Sequence, residues 1–391
     1  MSCNEQVRTA RNLVSMSLLC LLLECLRIAG TDVSAKGASL DKWKRHAIAD
    51  LPDRAMFILA ADVDSDGQRD LIAGGWWWKN PGTLGGSWKR TSVGEPLRNM
   101  AIVYDFDADG DPDILGTEGV GAAKNIDFVW AENDGRGRFT IHKNVNYTGG
   151  GDFLQGCTAA RLDGTIRVAL SWHRDGGGIN TLNVPAKPAA DMWTTTLISK
   201  TVSSPPQGED LDFGDIDRDG DLDLLLGDLW LRNDGGNWPT FRMGKITEGE
   251  PDRVDLADVN GDGRLDAIVS LEKGTDVWWF EAPTDRTKTW TQHKLGVIAG
   301  QGFSMDTADF DGDGDPDVVI GEHRGKTENR VVLFENTAKG STWRQHVIDK
   351  GPKDQIDHHD GTQAFDLDND GDLDIVSIGW YNPKVWVFEN L

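Results

Sequence analysis

Six segments of this chain repeat the spacing Asp-x-Asp-x-Asp-Gly-x-x-Asp, which gathers hard oxygen donors at one turn. The copies place Asp62, Asp64, Asp66 and Asp70 in the first, and Asp105, Asp107, Asp109 and Asp113 in the second. Asp215, Asp217, Asp219 and Asp223 follow, then Asp258, Asn260, Asp262 and Asp266 with an amide at the third position. Asp309, Asp311, Asp313 and Asp317 form the fifth copy, and Asp366, Asp368, Asp370 and Asp374 the last. Alternate carboxylates around a glycine that permits a sharp turn are the ligand logic of a calcium loop, cut short relative to an EF-hand. A single acidic loop is usually a solvated turn. Six copies in register predict about six structural Ca2+ sites.

The elements that must position these loops follow from what flanks them. Each loop runs into a short apolar strand, such as Leu71-Ile-Ala or Val318-Val-Ile, so no helix follows. An aromatic strand comes next, often ending in Asn, as at Asn80, Asn133, Asn336 and Asn390. A polar–apolar strand opened by Trp88, Trp193, Trp290 or Trp343 completes a unit. Short alternating strands between Gly-, Asn- and Asp-rich turns mean antiparallel sheet. The step from Asp105 to Asp215 is about twice the others, and a degenerate copy at Arg161, Asp163, Gly164 and Arg167 lies in its middle. There Arg161 and Arg167 are expected to neutralise Asp163 in the metal's place. Seven units of four strands predict an all-β, seven-bladed propeller with four-stranded antiparallel blades. The last unit lacks its fourth strand, and an orphan strand from Trp43 to Ile48 precedes the first. Moving the orphan into the last blade closes the ring and removes exposed edges.

A length of 391 residues ordinarily suggests two or three domains. The repeat overrides that prior, because each blade needs its neighbours to bury its faces. The net charge of −24 comes largely from the loops, and six divalent cations would cancel half of it. With no cluster of Lys and Arg, nucleic acid is excluded as a partner. Residues 1–35 read as a signal peptide: Arg8 and Arg11 precede an apolar run from Leu13 to Leu23, and Val33-Ser34-Ala35 offers a cleavage site. The alternative, a short membrane anchor, is disfavoured because the run falls short of the ~20 apolar residues a span needs. Residues 36–391 then form one secreted or periplasmic propeller domain, a monomer with no membrane span. Cleavage leaves Cys157 as the lone cysteine, so metal rather than a disulfide is expected to stabilise it.

From about residue 41 to 391 the loops and strand phasing resemble the FG-GAP/VCBS repeat families, whose seven-bladed form is the integrin-α-like propeller. The Phe-Gly half of that name survives only in places, as at Phe213-Gly214. The resemblance implies that each Asp-rich loop joins the first and second strands of a blade and binds calcium on one rim. Its members include adhesion modules, lectins, and secreted carbohydrate-active enzymes such as polysaccharide lyases and aldos-2-ulose dehydratases. Fold alone does not choose among them.

On the face opposite the calcium rim, the loops leaving second strands and entering first strands should surround the central channel. They carry His173, Arg174, Arg253, His323, Arg324, His358, His359 and Tyr381, together with Trp76, Trp77 and Trp380. Arg174, Arg253 and Arg324 can hold a sugar carboxylate, while His173, His323, His359 or Tyr381 serve as general base and acid. That is the chemistry of β-elimination on an acidic polysaccharide, or of dehydration of a keto-sugar, with Trp residues stacking on sugar faces. A variant has His323, His358 and His359, with Glu322, hold an additional transition metal. The plain alternative is that these side chains only fix polar loops. The expected ligand is extracellular carbohydrate, or a cell-surface ligand bound by a non-catalytic adhesion or lectin-like module; a structural scaffold is the third reading.

Overall fold

The computed structural model describes residues 39–174, 177–200, 209–359 and 361–391; the expected signal peptide lies outside them. Seven four-stranded sheets make up the described chain, every pairing within them antiparallel. Blade 1 comprises Leu59–Ala61, Asp70–Ala73, Trp76–Lys79 and Lys89–Ser92. Blades 2 to 6 repeat that order from Leu97, Leu154, Leu211, Glu250 and Gln301. Blade 7 takes Gln363–Phe365, Asp374–Ile378 and Lys384–Asn390, and Trp43–Asp50 is its outermost strand. The register runs from Trp43 opposite Asn390 to Asp50 opposite Lys384. The ring is therefore closed by the strand that the sequence left over.

First strands of neighbouring blades lie beside one another, which places them innermost. The core is not inside any blade but between blades. One apolar cluster fills each of the seven interfaces: Phe106, Trp130 and Trp193 join blades 2 and 3, for example, and Phe310, Val331 and Phe388 join 6 and 7. Strands buried on both faces lose the strict alternation of a surface sheet, so Asp113–Glu118 and Asp317–His323 are almost wholly buried. The Trp that opens or directly precedes a fourth strand donates its indole N–H to a carbonyl a few residues back, as Trp290 does to Arg286 O (3.0 Å) and Trp343 to Gly340 O (3.1 Å). Packing, not ligand stacking, accounts for these Trp positions.

Blade 3 resolves the degenerate loop differently from expectation. Leu162 pairs directly with Thr165, leaving Asp163 and Gly164 as a two-residue hairpin with φ of 50° and 77°. Positive φ at both positions is the turn that matches strand twist. Arg161 donates to Gly164 O (3.1 Å), and Arg167 stays 3.9 Å from an exposed Asp163. The expected neutralisation of Asp163 is thus present only as a loose ion pair with Arg167, and the two-residue turn is too short to enclose a metal's space.

Candidate functional site

In each intact loop the ninth-position carboxylate is buried and stapled to the backbone. Asp317 accepts Phe310 N (3.0 Å) on one oxygen and Asn336 N (2.8 Å) on the other. Asp70, Asp113, Asp223, Asp266 and Asp374 repeat that pair of contacts in their own blades. Burial pushes the carboxyls of Asp113, Asp317 and Asp374 up to about 8. The first-position side chain folds the turn, as Asp309 accepts the N–H groups of Asp313 and Gly314. The Asn that ends an aromatic strand then latches onto the neighbouring loop: Asn80 to Leu367 O (2.6 Å), Asn133 to Val63 O (2.9 Å), Asn336 to Val259 O (2.9 Å). Blade 5 has Ala282 at that place, and Arg286 donates to Ile216 O instead (3.2 Å). The recurring Asn was visible in the sequence; its role was not.

Carboxylate oxygens of Asp105, Asp107 and Asp113 lie within 4.8 Å of one another, as do those of Asp215, Asp217 and Asp223, and of Asp309, Asp311 and Asp317. Such all-oxygen sets fit a hard divalent cation. Loop 1 also groups Asp62, Asp64 and Asp66, yet it fits less well. The Lys79 ammonium is ion-paired with both Asp64 and Asp66, the latter at 2.7 Å. In blades 2, 5, 6 and 7 the residue equivalent to Lys79 is Glu132, Glu281, Glu335 or Glu389. Each is bonded to a fourth-strand imidazole: His142 (2.6 Å), His293 (2.9 Å), His346 (2.6 Å) and His46 (2.6 Å). Half of the protein's eight His belong to this repeated outer pair.

At the channel, residues from blades 6 and 7 converge. His323 is 1% exposed, with its ring against Phe303 (5.1 Å), His359 (4.7 Å) and Tyr381 (5.2 Å). Its Nδ1 stands at ion-pair distance, 3.3 Å, from Asp357 Oδ2 without a well-aligned hydrogen bond, and its Nε2 has no partner at all. Burial opposes the charge on Asp357, but the His323 contact and the N–H groups of Tyr381, Asn382 and Trp380 hold its carboxyl down to about 2. His359 stacks between Phe303 (4.6 Å) and Trp380 (4.8 Å); burial and nearby cations keep its ring neutral at physiological pH. Arg54 covers Trp380 (4.9 Å) and Tyr381 (5.5 Å), and Arg324 lies 4.6 Å over Phe303. Arg324 holds a left-handed backbone (φ 54°), a conformation that non-glycine residues reach at a cost of about 1–3 kcal/mol.

Other residues expected at this face are engaged elsewhere. Arg253 is buried and reaches across the ring, donating to Phe303 O (2.8 Å) and Gln155 O (3.2 Å), so it braces blades 3, 5 and 6. His173 bonds Asp152 (2.8 Å) and stacks on Phe153 (4.5 Å), and Arg174 N donates to the same Asp152. His173 is thus held within its own blade, by Asp152 and Phe153. His358 faces Ser377 (2.8 Å) and Phe388, and burial lowers its ring to about 3. Glu322 is taken by Arg330 and by Ala299 N (2.7 Å). The transition-metal arrangement is therefore not assembled: His358 and Glu322 turn into their own blades. Trp77 is buried between blades 1 and 2, and Trp76 lies under Arg90 (4.2 Å). The sequence reading missed Asp357, Phe303 and Arg54, which lack any repeat phase to mark them.

Residues 258–320 and 309–377 each match the FG-GAP-like repeat. The chain carries FG-GAP-like repeats. No curated protein matches the chain. Among solved structures it is similar to BBS1N in complex with ARL6DN, at 10% identity and TM-score 0.54 over 91% of this chain and 98% of that one. It is also similar to the exotype rhamnogalacturonan lyase YesX, at 13% identity and TM-score 0.49 over 89% and 72%. The rhamnogalacturonan lyase PL11 of Bacillus licheniformis gives 13% identity and TM-score 0.45 over 90% and 74%. The first of these likenesses, at 10% identity, shows the fold alone and nothing about ligand. No helix among the described residues is long and apolar enough to cross a membrane.

Proposed function

We propose that this is an exported propeller, held by calcium in its rim loops, that engages an acidic carbohydrate at the channel face and cleaves it by elimination. The observation that carries the reading is the His323–Asp357 pair. An ionised carboxylate sits at one ring nitrogen, and the other nitrogen is left without a partner beneath an exposed Tyr381 (59%). That is how an acceptor nitrogen is oriented for general-base work. His323 Nε2 takes the proton next to the sugar carboxylate, the carbon–oxygen bond at the adjacent carbon breaks, and a double bond forms between the two carbons. The Tyr381 hydroxyl protonates the departing oxygen, and Arg324 and Arg54 hold the carboxylate. Because Tyr381 covers His323, the ring moves aside as substrate enters. The second reading, a lectin-like or adhesion module, is supported by Trp380, whose ring stacks on His359 and lies beneath the Arg54 guanidinium.

An ultraviolet absorbance screen over acidic polysaccharides tests this. The wild-type protein should generate an unsaturated product, and His323→Ala should lower its rate by roughly 10²-fold or more while melting normally. Flat absorbance across the panel, with glycan retention that Trp380→Ala abolishes, rejects elimination in favour of binding alone.

Calcium occupancy should differ between loops. Lys79 supplies loop 1 with a tethered positive charge on two of its donors, so that loop fills last. At equal free calcium, Lys79→Gln should raise the number of ions counted by native mass spectrometry by one. An unchanged count would show that the ammonium does not compete with metal.

A further inference from the structure

The rim loops are not where the least satisfied carboxylate lies. Asp252, at the inner strand of blade 5, is 0% exposed, and neither of its carboxylate oxygens accepts a hydrogen bond. A buried carboxylate without donors is costly, and such an orphan calls for an ion or water to explain it. The nearest cation is Arg253, whose Nε is 3.5 Å away and already donates to Phe303 O. Two more carboxylates point at the same spot. Oxygens of Glu209 from blade 4 and Glu272 from the second strand of blade 5 lie within 4.8 Å of Asp252 and of each other. Glu209 is buried as well, and its backbone N–H donates to Asp252 O (3.3 Å), which ties the two strands together. Glu272 is bonded to Arg324 (2.7 Å).

We propose that Glu209, Asp252 and Glu272 form an axial site for a hard divalent cation, calcium or magnesium, separate from the Asp-rich loops. The donors are all oxygen, which selects against the softer transition metals. They come from two adjacent blades, so the cation would stitch blade 4 to blade 5 where their inner strands meet. Burial pushes the carboxyls of both Glu209 and Asp252 upward; the Asp252 charge adds to this for Glu209 and the Glu272 charge for Asp252, while Arg253 opposes it in both. The site stands whether or not the channel face turns over a sugar.

The test counts ions on the whole folded protein. Calcium-loaded wild type and Asp252→Asn, which keeps the side chain's shape, are compared by native mass spectrometry, alongside Glu209→Gln. Each variant should carry one calcium fewer than wild type. Equal counts in wild type and both variants would overturn the proposal, since they would show the three acids to be a proton-sharing cluster. Should either variant fail to fold, anomalous diffraction from wild-type crystals soaked in Mn2+ decides. A peak between the three carboxylates supports the site, and its absence there, with peaks at the rim loops, overturns it.

Discussion

Replacing Asp317 with alanine will cost about 4 kcal/mol of stability, and the loss will persist after calcium has been chelated. The side chain is wholly inside and accepts two backbone N–H groups, from Phe310 and Asn336. Alanine strands both donors in a dry site, at roughly 1–3 kcal/mol each, and leaves a cavity as well. Asn336 also latches onto Val259 O, so loosening its backbone weakens the blade 5–6 seam. Asp313, four residues earlier in the same motif, is exposed and accepts the local N–H of Asp315. Asp313→Ala should therefore destabilise the protein in calcium and have little effect in chelator. Urea denaturation of both variants under both conditions separates the roles. If Asp317→Ala matches wild type in chelator, the carboxylate is a ligand and not a staple.

Deleting residues 43–50 should open the ring. It uncovers the whole edge of Lys384–Asn390, with Trp386 and Phe388 beside it, and removes the register that joins the two ends of the chain. An unpaired edge beside apolar side chains is a template for aggregation, and in a repeat array each blade depends on its neighbours. We expect a fall in melting temperature of more than about 10 °C together with self-association, both visible in scattering during a thermal ramp. A synthetic peptide covering residues 41–51 should restore monomer and stability when added in trans. A deletion protein that stays monomeric with unchanged melting would show that three-stranded blade 7 suffices.

How much was legible in the sequence depended on periodicity. Blade number, strand order and the swap of Trp43–Asp50 all follow from elements that recur, and recurrence is readable without neighbours. Four imidazoles were readable in the same way: His46, His293 and His346 each follow a Trp by three residues, and His142 follows Phe139 by the same step. The channel face offered no such key. Arg253 has the right charge for a carboxylate, but its partners Phe303 and Gln155 are brought to it by ring closure, far away in sequence. Likewise His358 and His359 are adjacent in the chain yet face Ser377 and Phe303, because successive side chains in an extended segment point in opposite directions. Only one of them joins His323.

The short hairpin at Asp163-Gly164 gives the rim a seam. Around a closed ring of seven corners, six turns carry dense negative charge and one carries almost none. A rim with sevenfold sameness would have no preferred azimuth. This one has a marked sector at blade 3, so any cationic surface brought to that end would meet a C-shaped field with one preferred rotational setting. The missing loop thus supplies orientation: it distinguishes one corner of an otherwise repetitive edge.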